Sequence, residues 1–251
     1  HARTFISFGL IVRYLRSINY EVHYIRNITD VDDKIIARAE ELNISPKELT
    51  EKYIDSMNED FMSLGMIEPD SEPRATDNID SIISLIEILI EKGHAYEGDS
   101  DVYFSAESFD SYGKLSRRNL EDMLAGARVD VDTDKKNPAD FVLWKKNTEG
   151  LKWDSPWGAG RPGWHIECSA MSMDALGETF DIHGGGSDLK FPHHENEIAQ
   201  SECVTGKEFA KVWMHTGSLR IDKEKMSKSL KNFVTIKDAL EINSPEVLRL
   251  F

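Results

Sequence analysis

Between Thr4 and Ala39 the apolar period switches twice, and that switching limits the possible folds more than any other feature of the chain. Phe5, Phe8, Val12 and Leu15 keep close to helical spacing over residues 4–18. Val22-His23-Tyr24-Ile25 then alternates as a strand does, and Thr29-Asp30 opens a second helical run through Ile35, Ile36 and Ala39. Thr29 is the expected N-cap, with Asp32 three positions on in a weak capping-box match. Helix, strand and helix in such close succession predict an α/β unit over a parallel sheet.

Asn43-Ile44-Ser45-Pro46 resets the chain, and helical patterns resume from Lys47 to Leu64 and from Thr76 to Lys92, ahead of Gly93. From Tyr96 the texture changes. Short strand-like pieces, Val102-Tyr103-Phe104 and Phe141-Val142-Leu143-Trp144, alternate with turns, as an insertion or small second domain would. An α/β pattern returns at Trp164–Met173, read with Cys168 on a strand, and at Phe180-Asp181-Ile182-His183, which Gly184-Gly185-Gly186-Ser187-Asp188 follows. The expected division is 1–95 and 151–222 as two halves of one catalytic domain, 96–150 as the insertion, and 223–251 as a loop leading into helix.

At 40% hydrophobic, 251 residues can build one large core or two modest ones. No run approaches the ~18 consecutive apolar residues that a membrane span needs. Two cysteines, Cys168 and Cys203, make no disulfide framework, so a reduced, cytoplasmic setting is expected. Against 45 Asp and Glu stand 30 Lys and Arg, a net charge of −15, which argues against a broad basic nucleic-acid-binding face. Contact with RNA would then use local basic patches.

Phe191-Pro192-His193-His194-Glu195-Asn196-Glu197 is dense in ligand-type side chains. With a helix starting near Pro192, His193 and Glu197 lie four apart on one face and can grip one ion. Cys168 adds a thiolate, which favours zinc over calcium or magnesium. Cys203 lies ~9 Å beyond Glu197 along such a helix, too far to share the ion. The same residues also fit a solvated face or a set of caps, and a lone Cys fits a small buried apolar residue. A zinc site here lacks a fourth protein ligand within this chain, or keeps that position for substrate or water.

Lys223-Glu224-Lys225-Met226-Ser227-Lys228-Ser229-Leu230-Lys231 sets four lysines and two serines in an otherwise acidic chain. Ammonium groups beside hydroxyls suit the developing charge of a triphosphate being cleaved. The Gly184–Gly186 run is a turn or, at a strand end, a pocket wall that lets backbone approach a ligand.

These blocks resemble class I aminoacyl-tRNA synthetases. Lys225-Met226-Ser227-Lys228-Ser229 matches their second signature, and His1-Ala2-Arg3-Thr4 looks like the tail of the first, with His1 as its final histidine. Asn27 through Lys34, Gly160 through Met171, and His183 through Gln200 resemble the cysteinyl branch specifically. The resemblance runs over nearly the whole chain.

It implies a Rossmann-like (HUP-type) parallel-sheet nucleotide-binding domain with a connective insertion and the start of a helical stem. It implies ATP-dependent activation of L-cysteine to cysteinyl-adenylate and transfer to tRNA(Cys), with magnesium accompanying ATP, by a monomer without membrane attachment. The family's zinc is held by two Cys, one His and one Glu. Three of these match Cys168, His193 and Glu197, and the other Cys would lie upstream of the first signature. ATP contacts carry over to Lys228 above all, then Lys225, Ser227, Ser229, His1 and Gly185. Trp164, Thr29, His183 and Asp188 are expected around the cysteine, with a structural role open for each. A related ligase joining cysteine to an amino-sugar is the nearest rival, and a zinc hydrolase or noncatalytic RNA-binding relative is a more distant one.

Overall fold

The computed structural model describes residues 2–118, 134–147, 150–221, 223–226, 230 and 232–250. Helices α1 (Ala2–Ser17), α2 (Asp33–Leu42), α3 (Pro46–Ser63) and α4 (Ile79–Glu91) fill the first part. Strands β1 (Ala95–Glu97), β2 (Asp101–Phe104), β3 (Phe141–Lys146) and β4 (Gly160–Pro162) form an antiparallel sheet in sequence order. Helix α5 (Trp164–Leu176), strand β5 (Phe180–Gly186), helix α6 (Glu195–Thr205) and strand β6 (Ala210–Thr216) follow. The hairpin β7 (Arg220–Ile221) and β8 (Glu224–Lys225) leads to α7 (Ile236–Ile242) and α8 (Pro245–Leu250).

The parallel α/β expectation holds in two places. β5 and β6 pair in parallel from Phe180–Ala210 to Gly186–Thr216. The chain near Ile25 runs parallel to residues 70–75 through bridges at Ile25–Ser71 and Ile28–Arg74, rather than forming a regular strand at 22–25. Three local expectations change. The second helix starts at Asp33 with Asp32 as its cap, whose side chain accepts the Lys34 N–H, and not at Thr29. Ile28 is tied by its backbone to Pro73 and Ala75, and the Asp30 carboxylate accepts from Thr76 N (3.0 Å) and Oγ1 (2.6 Å). Those bonds hold residues 28–30 outside the helix, which begins only past them. Cys168 lies on helix α5, not on a strand, because Ile166 and Ala170, four apart, give that segment a helical core face. The glycines 184–186 end β5 instead of following it, since their backbones stay paired with Met214, His215 and Thr216.

The main core lies between α4, the antiparallel sheet, α5 and α6. Ile82, Ile86 and Leu89 of α4 meet Val102 and Phe104 of β2, Leu143 and Trp144 of β3, Ile166 and Ala170 of α5, and Ala199 and Cys203 of α6. α1 packs on the parallel pair: the tip of the Phe8 ring lies over Gly184, where an added Cβ would meet it, and Thr4 Oγ1 meets Thr216 Oγ1 at 2.7 Å. Asp33, at the start of α2, pairs with Lys145 of β3 (2.9 Å) and Arg161 of β4, tying the antiparallel sheet to α2. Both cysteines are free and buried. Among the described residues, no helix is long and apolar enough to cross a membrane.

Ile86 has no exposed surface, so Ile86→Ala should cost about 2–5 kcal/mol of stability through lost burial and an unfilled cavity. Ile242→Ala, at an 83% exposed position, should stay within about 0.5 kcal/mol of the parent in the same urea denaturation series. Equal midpoints for the two variants would contradict this core assignment.

Candidate functional site

Two helices and one turn bring the donor residues together. On α5, Ile166 and Ala170 face the core, so Cys168, between them in sequence, points to the other side of the helix. At the start of α6, Phe191 is extended (φ −142°, ψ 133°) and regular helix begins only at Glu195, yet His193 and Glu197 still meet, with Nε2 2.9 Å from Oε1. The donor atoms of Cys168, His193 and Glu197 all lie within 4.8 Å of one another, and all three residues are buried. Burial pushes the Cys168 thiol well above its usual range, and the Glu197 and Glu167 carboxylates add to that rise. Asn27 Nδ2 donates to Cys168 Sγ at 3.4 Å.

Glu197 has no exposed surface. His183 Nε2 lies 3.0 Å from its Oε2 and His193 Nε2 2.9 Å from its Oε1, so each oxygen faces a different imidazole. Among the described residues neither oxygen receives a well-directed hydrogen bond. Burial alone would raise this carboxyl, but the two imidazoles hold it well below the usual carboxylate range.

Around this carboxylate stand five of the chain's eight histidines. His165 Nδ1 meets His193 Nδ1 at 2.8 Å, and His194 Nδ1 meets His215 Nε2 at 2.8 Å. Burial pushes both His165 and His194 down to about 3, so both rings stay neutral near pH 7. The donor atoms of His183, His194 and Glu197 form a second trio within 4.8 Å. Gln200 Nε2 fixes the α5–α6 contact by donating to the His165 carbonyl (3.1 Å) and to Ser169 Oγ (2.8 Å).

The other expected residues fall out as follows. Trp164 is 46% exposed, and its ring centroid lies 4.2 Å from that of His193, at the rim of the trio. His183 reaches Glu197, and its ring lies 4.5 Å from Trp213. Thr29 bonds through its side chain to Glu167, whose carboxyl is raised well above normal by burial and by Asp30 and Asp32. Asp188 pairs with Lys225 Nζ at 3.0 Å; burial opposes its ionisation, but the ammonium wins and holds the carboxyl below its usual value. A Cβ on Gly185 would come within 2.7 Å of the His194 ring, so the room left by this glycine is taken by an imidazole. Met226 N donates to the Leu219 carbonyl (2.9 Å) and Asn232 Nδ2 to the Lys225 carbonyl (3.3 Å), closing the base of the lysine-rich loop. His1, Ser227, Lys228 and Ser229 lie outside the described residues.

Sequence reasoning missed Asn27, His165, His194 and His215. The first three sit inside the blocks 27–34, 160–171 and 183–200 that carry the family resemblance, where their residue types are plain. His215 is different: it joins through the register that sets it opposite Gly185, which no local pattern announces.

The family model described as tRNA synthetases class I (C) catalytic domain matches residues 1–251. The chain is 60% identical over 252 residues to the cysteine–tRNA ligase of Pelobacter propionicus, covering 100% of this chain and 51% of that protein. It is 57% identical over 253 residues to the cysteine–tRNA ligase of Legionella pneumophila strain Paris, covering 100% and 56%. It thus spans about half the length of the curated relatives it matches. Among solved structures, Mycobacterium tuberculosis methionyl-tRNA synthetase in complex with methionyl-adenylate aligns with a TM-score of 0.77 at 15% identity, over 100% of this chain and 60% of that one. That likeness shows a shared Rossmann-like α/β fold. The chain therefore belongs to the class I (C) tRNA synthetase catalytic-domain family.

Proposed function

We propose that this chain is the catalytic core of a cysteine–tRNA ligase, which activates L-cysteine with ATP to cysteinyl-adenylate and passes the cysteinyl group to the terminal adenosine of tRNA(Cys). The observation that carries the reading is the convergence of a thiol, an imidazole and a carboxylate, all buried, in a family whose curated relatives bear that name. The donor set fits zinc: a thiolate is too soft for magnesium or calcium, and the buried Glu197 oxygens lack well-directed donors that a cation would replace. Cys168, His193 and Glu197 would hold the ion. When bound, zinc supplies a Lewis acid that prefers cysteine's sulfur to serine's hydroxyl.

The chain's own groups do the rest by binding and orientation. Trp164, half-exposed over His193, walls the amino-acid side of the trio. Shape alone separates isosteres by roughly 10²-fold, whereas a pocket demanding one specific polar bond reaches ~10⁴-fold. Selection by sulfur therefore needs no second, editing site. Lys228 would be the principal phosphate contact, with roles for Lys225, Ser227, Ser229 and His1 carried over from the family's signatures. Their charges and donors meet the negative charge that grows on the α-phosphate and leaving pyrophosphate, with magnesium accompanying ATP. Asp188 keeps the Lys225 ammonium at the C-terminal end of β5 until a phosphate competes for it. Thr29 and Gly185 support the walls of this cleft through Glu167 and His194.

In the intact protein, Cys168→Ser should strip most of the zinc found in the parent and raise the KM for cysteine in ATP–pyrophosphate exchange by about tenfold or more. Retention of full zinc content by that variant would end the metal reading. Lys228→Ala should lower the kcat of cysteine-dependent exchange by roughly 10²-fold, the effect of deleting one charge-stabilising donor. Exchange that proceeds equally well without cysteine, or cysteine transfer to an amino-sugar with no charging of tRNA, would overturn the assigned activity.

A further inference from the structure

Helix α6 turns one side to the donor trio and, on the other, carries a second fully buried carboxylate. Glu195 opens the helix and has no exposed surface. Its Oε1 accepts the backbone N–H of Gly113 at 3.0 Å and of Leu115 at 3.2 Å, and its Oε2 accepts that of Ser116 at 2.8 Å. Backbone N–H groups folded round an oxyanion make a concave anion site, and here the chain supplies its own anion. Neighbouring contacts seal the same joint. The Tyr112 hydroxyl bonds to Asn196 Oδ1, with both residues buried, and Lys114 Nζ pairs with Glu202 at 2.6 Å. The Arg118 guanidinium lies 4.8 Å from the Phe191 ring centre, at the extended residue that breaks the turn before α6.

Geometry separates the two jobs of this helix. Two residues along an α-helix turn it by about 200°, so Glu195 and Glu197 lie on opposite sides of α6. Glu195 instead shares its side with Ala199 and Cys203, which belong to the main core. No side chain caps α6 at His194, so the helix start, with one donor two residues before Glu195 and another two residues after, is anchored by the grip on 113–116.

We infer that Glu195 is a positioning residue for the metal trio: its hold on the 113–116 turn sets the direction from which His193 and Glu197 face Cys168. The inference rests on the zinc reading above and extends it to the 113–116 turn, which among the described residues makes no hydrogen bond to Cys168, His193 or Glu197.

The test uses the intact protein. Glu195→Gln keeps the size but turns one acceptor into an amide N–H₂ facing backbone donors. Zinc and cobalt(II) affinities are measured against a chromophoric chelator, with the cobalt(II) visible spectrum and thermal melting recorded in parallel. The expected result is an affinity loss of about tenfold or more with shifted cobalt bands. The KM for cysteine should rise while the KM for ATP stays within about twofold. Tyr112→Phe loosens the same joint without touching the carboxylate, so it should lower the melting temperature and leave metal affinity and spectrum as in the parent. Should Glu195→Gln not fold, Glu195→Asp, with the charge on a shorter arm, enters the same comparison. A Glu195 variant that melts lower but binds cobalt with parental affinity and spectrum overturns the inference, as does an equal metal loss in Tyr112→Phe. A parent protein that takes up neither ion overturns the zinc reading itself, whatever Glu195 does.

Discussion

A carboxylate with no exposed surface, held between two imidazoles, is the constraint around which this site is arranged. An ionised group so placed is costly unless paired and hydrogen-bonded. Glu197 meets that demand only in part: His183 and His193 hold it in its charged form, yet neither points a donor squarely at it. The groups nearest to it therefore have to come from three different elements, β5, the turn before α6 and α5, and those elements have to be rigid.

Rigidity comes from the division of each helix into two sides. On α5, Ile166 and Ala170 enter the core and Cys168 faces the donors; on α6, Ala199 and Cys203 enter the core and Glu197 faces the donors. The apolar packing that stabilises the antiparallel sheet thus also sets the spacing of Cys168, His193 and Glu197. The parallel pair β5–β6 contributes one face on which His183, Gly185, Trp213 and His215 alternate, and the missing side chain at Gly185 lets His194 lie against it. Site and core are two sides of the same elements, so a change in one is felt in the other.

Electrostatics are equally divided. The chain carries a net charge of −15, with 45 acidic side chains against 30 basic ones. Basic groups are therefore local: Lys225 is held by Asp188 on a two-stranded hairpin at the end of the parallel pair, close to where β5 delivers its glycines. An ion pair this exposed is worth little in stability, about 0–1 kcal/mol.

Much of this was legible in the residues themselves. Helical spacing at Phe5 through Leu15 and from Ile79 to Leu89 marks α1 and α4, because burial of one face demands that period wherever the helix packs. The Cys168, His193 and Glu197 set was readable because ligand chemistry restricts residue types and a helical start restricts spacing. Where local pattern misled, tertiary bonds had intervened. Thr29 does not cap a helix, because Ile28 and Asp30 are bound to residues 73–76 and stay outside it. Cys168 is helical although its surroundings read as a strand. Only the folded chain could show that Asp188 meets Lys225, that Gly185 makes room for His194, or that Glu195 grips a turn some eighty residues earlier in the chain. Each of those contacts joins residues distant in sequence, and no local periodicity encodes a partner that only packing brings near.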